Sequence, residues 1–229
     1  MRSVAVAIAA VLVALAVPGA GAGAGEPCVD NRPQTLDTTT DPVPAEVTAM
    51  LAVLRRPQNA ADKLPNLNHL AALSIAGVNP DAIRRAAKIG RTRIYLVPAR
   101  NVRYFRPLPD TEACRQVQMP TPEPAPGVCL LERATEGAAT CSDVDAIRTG
   151  HSLLTGGGRR HGFTQAAGIV PDGVRAVIWR VHRGKGFLDT RVPVHNNVFG
   201  ASVPGRAGHG LYVYWETAKG RKLVRGPGL

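Results

Sequence analysis

The chain has 229 residues, a hydrophobic share of 45% and a formal net charge of +11. This composition excludes an intrinsically disordered chain, and the length fits one large domain or two small ones. The basic residues are mostly arginine and are dispersed along the sequence. Their excess has two interpretations: an ordinary solvated surface, or attraction to a polyanion such as a teichoic acid, an acidic polysaccharide or a nucleic acid.

The first 25 residues have the layout of a secretory signal peptide. Arg2 supplies a positive charge, and residues 4–17 carry no charge and no polar side chain. Small residues follow at Ala20, Ala22 and Ala24. The apolar run is shorter than the roughly 20 residues that span a bilayer. We therefore predict a signal peptide over 1–24, rather than an uncleaved anchor, and an extracellular protein without stable membrane insertion after cleavage.

The four cysteines all follow the predicted cleavage point, in a compartment where cysteines pair. A strand–turn–strand pattern between Cys129 and Cys141 favours a disulfide between these two, which leaves Cys28 with Cys114, although four cysteines allow three pairings. Zinc binding and free thiols are the alternatives, but the C-x-x-C spacing of zinc sites is absent. Pro27 stands where lipid attachment at Cys28 would require a small residue.

Three helices are predicted in the N-terminal third. An apolar stripe at i, i+3, i+4 and i+7 from Val47 indicates the first, which Pro57 ends. Residues 66–75 are a second, shorter candidate. The third covers 79–90, because Asn-Pro-Asp opens it as a cap and first turn, and Gly90 is a typical stop.

The pattern then becomes strand-like. Residues 93–97 are rich in β-formers, and 102–105 continue this strand or pair with it. The proline-rich stretch 107–127 is predicted to be a surface insertion held by its cysteine. A strand over 128–134 and a short helical turn over 142–149 follow.

From Phe163 onward the chain is predicted to be all-β. Pro171-Asp172-Gly173 has the composition of a turn. A strand over 174–181 leads into a hairpin turn at Gly184-Lys185-Gly186, and strands over 211–218 and 221–225 flank a second tight turn.

The predicted fold class is α+β, with a helical N-terminal third packed with antiparallel β-sheet and a C-terminal small β-sandwich or meander. Residues 25–229 would form a single domain. A subdivision near residue 150 would separate a helical-plus-sheet part, 43–150, from an all-β part, 160–229.

Several phrases, among them LRRPQNAAD, IYLVPARN, GIVPDGVRAVIW and VPVHNNVF, resemble a group of exported actinobacterial proteins of unknown function. The resemblance runs from about Leu51 to Phe199, and its motifs are those of a helix end, a β-turn and a strand edge. It implies an actinobacterial, secreted protein and brings no catalytic residues. The segment 103–127 and the tail after Phe199 are additions to the group's pattern.

No catalytic pattern is satisfied. The chain has no G-x-S-x-G elbow, and its Gly-Gly-Gly-Arg-Arg loop lacks the Gly-Lys-Ser/Thr end of a phosphate loop. Secreted cysteine transpeptidases have a His-Gly pair before the catalytic cysteine, whereas the His-Gly pair of this chain follows every cysteine. The six histidines are scattered, without an H-E-x-x-H or H-x-H pair. We therefore predict no catalytic residue, no metal ligand and no cofactor. Glu132, Asp143 and Asp189 are candidate carboxylates only by elimination.

Two short stretches are candidate ligand contacts. His195, Asn196 and Asn197 are either a polar strand end or a contact point for a sugar or peptide. Tyr212 and Tyr214 share one strand face, where they could stack on sugars or anchor a partner, with core packing as the alternative.

The sequence thus predicts a secreted, non-catalytic domain of binding or structural role at the cell surface. Its expected partner is an acidic cell-wall polymer or another secreted protein, with no specific nucleic acid. The alternative is a secreted hydrolase that acts on cell-wall material through an unrecognised site.

Overall fold

The chain is built mainly of β-strands, as a computed structural model shows. The residues described are 28, 35–64, 66–67, 70–71, 73, 75–89, 92–104, 109–115, 122–133, 138–157, 163–204 and 211–225. Of these, 51% lie in strands and 17% are helical. The predicted α+β class with a helical N-terminal third is therefore wrong. The predicted signal peptide, 1–24, lies outside the described residues.

The described α-helices are all short. They are α1 (Ala45–Met50), α2 (Ala52–Arg55), α3 (Glu112–Arg115) and α4 (Val144–Thr149). None of the helices within the described ranges has the length and apolar character that crossing a bilayer requires.

The chain divides into two compact units. Of the small unit, Met1–Asn31 with Leu108–Met119, the structure describes Cys28 and residues 109–115. A disulfide joins Cys28 to Cys114 within it. The large unit, Arg32–Pro107 with Pro120–Leu229, contains every strand described below.

The strands of the large unit form three antiparallel sheets. Sheet A contains β1 (Ala76–Val78), β2 (Arg84–Ile89), β3 (Thr92–Asn101), β4 (Gly127–Arg133) and β5 (Ala138–Asp143). Sheet B has the order β10 (Val198–Pro204), β7 (Phe163–Ile169), β6 (Leu153–Gly157). Sheet C has the order β12 (Gly220–Arg225), β11 (Leu211–Thr217), β8 (Val174–Arg183), β9 (Gly186–Pro193).

Sheet B lies between two hydrophobic cores. Alternation along its strands sends Ala167, Ile169 and Val198 into a core shared with sheet A and with α1, α2 and α4. The opposite face sends Ala166 and Phe199 into a second core, shared with sheet C. Both faces of sheet B are therefore covered along residues 166–169 of β7.

A third core covers the other face of sheet A. Tyr95, Val97 and Cys129 pack there against Leu70 and Ile75 of the connecting segment that precedes β1. The disulfide Cys129–Cys141 joins directly opposite residues of β4 and β5 at this face. Both disulfides thus join the pairs that the sequence favours, and they are consistent with an extracellular protein.

The third predicted helix, 79–90, is instead a 3-10 turn followed by β2. Asn79 caps only the turn Pro80–Ala82, by accepting a hydrogen bond from the Asp81 N–H at 2.9 Å. From Arg84 onward the backbone pairs with β3, whose residues are strong β-formers. The capping signals were genuine, but cross-strand pairing overrides the helix propensity of Arg-Arg-Ala-Ala-Lys.

The other two predicted helices are shorter than expected. The first is interrupted at Leu51, whose φ of −124° and ψ of 100° are extended, so α1 and α2 are separate. Between 66 and 75, the described residues include a 3-10 turn at 70–71. Residues 102–104 lie outside β3, which ends at Asn101, so the strand predicted over 102–105 is not formed there.

A buried ion cluster accounts for the LRRPQNAAD phrase. The Asp62 carboxylate, 1% exposed, accepts two hydrogen bonds of 2.7 Å from the Arg56 guanidinium. It also accepts the backbone N–H groups of Asn59 and Arg85, at 2.8 Å each. Arg84 is buried beside them, where burial lowers its pKa. The hydrogen bonds of Asp62 therefore link the end of α2 to β2.

The predicted turns of the C-terminal part are present. Gly173 takes a φ of +87°, as the Pro-Asp-Gly signal requires. Residues 184–185 close the β8–β9 hairpin, and 218–219 close the β11–β12 hairpin. The helical turn predicted over 142–149 is α4, capped by Asp143, which accepts the Ala146 N–H at 2.7 Å.

Candidate binding face

Sheet C presents polar and aromatic side chains on the face opposite its core. Alternation in β8 sends Val177, Trp179 and Val181 into the core shared with sheet B. Arg180 and His182 therefore lie on the other side. Together with three aromatic residues from the neighbouring strands they form what we call the aromatic–arginine face: Arg180, His182, Phe187, Tyr212 and Tyr214.

Strand register brings these rings together. Phe187 lies opposite His182 across the β8–β9 hairpin, and their ring centroids are 4.3 Å apart. Tyr212 lies opposite Arg180 on the other flank of β8, and its ring meets Phe187 edge-on at 5.9 Å. Phe187 is 52% exposed. A large apolar ring is thus held at the surface by its neighbours.

The Arg180 guanidinium lies among these rings. Its carbon is 5.1 Å from the centroid of Tyr214 and 5.5 Å from that of Phe187. At such distances a cation is attracted to the electron-rich face of an aromatic ring. The three side chains therefore hold one another in a defined arrangement on a sheet surface.

One carboxylate on this face is shared by two arginines. Asp189 accepts hydrogen bonds from Arg180 Nε at 2.6 Å and Nη2 at 2.8 Å, and one of 3.3 Å from Arg221. The hydrogen bonds from Arg180 lower the pKa of the Asp189 carboxyl, and the charge of Arg221 adds to the effect. Two positive charges thus face one negative charge, and the Arg221 side chain remains 50% exposed.

A second ion pair flanks the cluster. Arg191 Nη2 donates to Glu216 Oε1 at 2.6 Å, which lowers the pKa of the Glu216 carboxyl. Ile178 lies on the same side of the sheet between Arg191 and Tyr214 in register, yet it is only 1% exposed.

The structure therefore places Tyr212 and Tyr214 together, as strand alternation predicts, and adds Arg180, His182 and Phe187, which the sequence analysis missed. A signal for them was present. The predicted turn at Gly184-Lys185-Gly186 fixes the register of its hairpin, and counting back from it sets Phe187 against His182.

The stretch His195-Asn196-Asn197 lies elsewhere, in a tight turn. Asn196 and Asn197 take positive φ values of 49° and 66°. Asn197, 7% exposed, accepts the Val53 N–H and donates to the Val170 carbonyl and to Asp172. Asn196 donates to the Ala86 carbonyl at 2.8 Å, and His195 is exposed. Both side-chain amides thus donate hydrogen bonds to carbonyl groups of the protein itself.

The three candidate carboxylates lie in different parts of the structure. Asp143 caps α4 and pairs with Arg103, and Asp189 pairs with Arg180 of the aromatic–arginine face. Glu132 on β4 is half-buried, and burial raises its pKa. Among the described residues, no group of three His, Cys, Asp or Glu side chains could hold a metal ion.

A hydroxyl–imidazole contact occurs on α4. Thr149 Oγ1 lies 2.8 Å from His151 Nδ1, but it donates its hydrogen to the Asp145 carbonyl at 2.7 Å. An activated nucleophile must instead give its proton to the base. The hydroxyl is thus bonded to the carbonyl groups at the end of the helix.

The concave regions found in the described part of the chain are open. One, of about 500 Å³, lies between Thr38–Thr40 and Asn79–Asp81. Another, of about 330 Å³, lies beside the Asn196-Asn197 turn. Neither has the enclosed, mainly apolar lining of a small-molecule site.

Comparison with known proteins adds no family. No protein-family model, no curated protein and no solved structure matches this chain. The aromatic–arginine face therefore has to be interpreted from its own chemistry.

Proposed function

We propose that this chain is an exported, non-catalytic binding module of the cell surface and that it binds its partner through the aromatic–arginine face. The observation that carries the proposal is the exposure of Phe187, at 52%, within a cluster of rings and a guanidinium. Tyrosine and arginine are over-represented among residues that dominate binding energy. A sheet also holds such residues at fixed positions, so little order is lost on binding.

Export is supported by two independent features. The first is the signal-peptide pattern at the N-terminus, and the second is the pair of disulfides, which persist in oxidising compartments. The excess of positive charge would keep such a module near the anionic polymers of a cell envelope.

A non-catalytic role fits the state of the polar groups on the face. Both oxygens of Asp189 already accept hydrogen bonds from Arg180, and its pKa is lowered, so the carboxylate is a weak general base. The His182 ring packs against Phe187 at a tilt of 45°, and no carboxylate orients it among its contacts in the described residues.

The test is a pull-down of the mature protein on cell envelopes of the native host. We expect the double variant Phe187→Ala/Tyr212→Ala to bind at least tenfold more weakly, because ring contacts of this kind contribute about 1–2 kcal/mol each. Phe163→Ala is the matched control, since Phe163 is also an exposed phenylalanine, at 40%, but lies on sheet B. Equal binding by all three proteins would remove the face from the proposal.

Catalysis is tested on the same preparations. Turnover of a peptide, ester or glycan by the purified mature protein, abolished by one polar substitution, would favour a secreted hydrolase instead.

A further inference from the structure

We propose that the ligand of the aromatic–arginine face is a carboxylate-bearing polysaccharide, an inference that rests on the proposed binding function. The face combines ring surfaces with guanidinium groups that already hold carboxylates. A uronic acid unit presents the complementary pair of features, since one side of its pyranose ring carries C–H groups and its edge carries a carboxylate and hydroxyls.

The rings provide the apolar part of the match. Phe187 and Tyr212 are edge to face, so they present a stepped surface and not a flat one. Tyrosine adds a hydroxyl at the rim of its apolar ring, which suits a ligand with both C–H faces and hydroxyl edges. An uncharged sugar polymer would use only this part of the site.

The charges provide the anionic part. Asp189 is shared between Arg180 and Arg221, and Arg191 pairs with Glu216, so three arginines on this side of the sheet share two carboxylates. Arg221 makes a single 3.3 Å contact with Asp189 and its side chain is half exposed, so further N–H groups face solvent. A guanidinium binds a carboxylate through two parallel hydrogen bonds, and Arg221 is free to form them with a ligand.

The small apolar area of the face disfavours a protein partner. Aspartate is depleted at protein–protein interfaces, whereas arginine and tyrosine are enriched there. Here, Asp189 pairs with Arg180, whose guanidinium lies between the rings of Phe187 and Tyr214. The exposed large apolar side chains on this side are Phe187 and Leu223, at 52% and 49%, which is little apolar area for a stable protein interface.

The experiment measures binding of the mature protein to four polymers at low salt. Polygalacturonate carries rings and carboxylates, dextran carries rings alone, polyglutamate carries carboxylates alone, and poly(dT) carries rings with phosphates. We expect polygalacturonate to bind at least tenfold more tightly than the other three. Its affinity should fall as salt rises from about 50 to 500 mM, because the screening length shortens from roughly 14 to 4 Å over this range.

Two variants assign the effect to the face. Arg221→Gln should weaken polygalacturonate binding about tenfold. Lys219→Gln removes the same charge from the neighbouring turn, where its exposed side chain makes no ion pair in the described residues, and should change binding less than twofold. Both substitutions are at exposed positions, and thermal unfolding confirms that each variant is folded.

Each other outcome overturns the inference. Equal binding of dextran would make the carboxylate irrelevant, equal binding of polyglutamate would make the sugar ring irrelevant, and preferred binding of poly(dT) would point to nucleic acid. If Phe187→Ala/Tyr212→Ala still loses envelope binding while polygalacturonate fails to bind, only the ligand class is wrong. If that variant keeps envelope binding, the binding function itself fails.

Discussion

The buried carboxylate of Asp62 shows how one residue makes stability depend on pH. Burial by itself would raise its pKa, but hydrogen bonds from Arg56 and from two backbone N–H groups outweigh this and lower the pKa to about 2. The folded value lies below the ordinary value of 3.8. The stabilisation is therefore complete above about pH 4 and is lost as the pH falls toward about 2.

We expect Asp62→Asn to lower the free energy of unfolding at pH 7 by about 3 kcal/mol, because it leaves buried Arg84 and partly buried Arg56 without their counter-ion. About 2 kcal/mol of the difference from wild type should disappear as the pH falls from about 4 to 2. Urea unfolding at both pH values measures it. Asp110→Asn is the control, since that carboxyl is 90% exposed. A difference that is independent of pH would contradict the assignment.

Asn197 separates backbone strain from hydrogen bonding at a single position. Alanine there loses three side-chain hydrogen bonds and must hold a φ of +66°, whereas glycine loses the bonds but tolerates the angle. We expect Asn197→Ala to cost about 3 kcal/mol and Asn197→Gly about 1 kcal/mol less. Urea unfolding gives both values, with exposed His195→Ala as a near-neutral control. Identical costs for the two variants would show that strain does not contribute.

At the scale of the element, two glycines in strands have opposite sensitivity to a methyl group. A Cβ at Gly168 of β7 would lie 2.5 Å from the Ser152 carbonyl and 2.6 Å from the Phe199 ring, whereas one at Gly186 of β9 would meet nothing within 4 Å. We expect Gly168→Ala to destabilise the protein by about 2 kcal/mol and Gly186→Ala to change stability by no more than about 0.5 kcal/mol. Thermal unfolding of the pair measures the difference. Tolerance of Gly168→Ala would mean that sheet B can move apart from its neighbours.

The positions of the strands were easier to predict than which strands pair with each other. Alternation put Tyr212 and Tyr214 on one face, and the turn glycines placed the β8–β9 and β11–β12 hairpins, because these signals are local. The contact of Arg221 with Asp189 depends on the order of four strands, which the local pattern does not contain. The helix predicted over 79–90 failed for the same reason, since its pairing partner lies outside that segment.

At the scale of the whole molecule, the two disulfides should have unequal effects. Cys129–Cys141 borders the third core of the large unit, whereas Cys28–Cys114 lies within the small unit. We expect Cys129→Ala/Cys141→Ala to cost about 3 kcal/mol, which corresponds to a Tm lower by roughly 6–12 °C. Cys28→Ala/Cys114→Ala should leave this transition in place.

Tryptophan fluorescence follows the large unit alone, since Trp179 and Trp215 are both buried in it. An equal loss of Tm in the two double variants would show that the small unit stabilises the large one.

The three-sheet arrangement is the part of the fold that is hardest to predict from the sequence. The central strand of sheet B, β7, contains Ala166, Ala167 and Gly168. These residues have low β-propensity, so they do not predict a central strand. Strand β10 of sheet B pairs with β7, but the β8–β9 hairpin lies between these two strands in the sequence, so the pairing is non-local.

The covered faces of sheet B have a consequence for the exchange of backbone amides with solvent. Its small side chains bring neighbouring layers close, and its β7 strand has a partner on each edge, β6 and β10. Water can reach the amides of the buried residues 166–169 of β7 only when the sheets on both sides separate, which is close to complete unfolding. Residues 166–169, three of which have low β-propensity, should therefore be among the slowest in the protein to exchange hydrogen for deuterium.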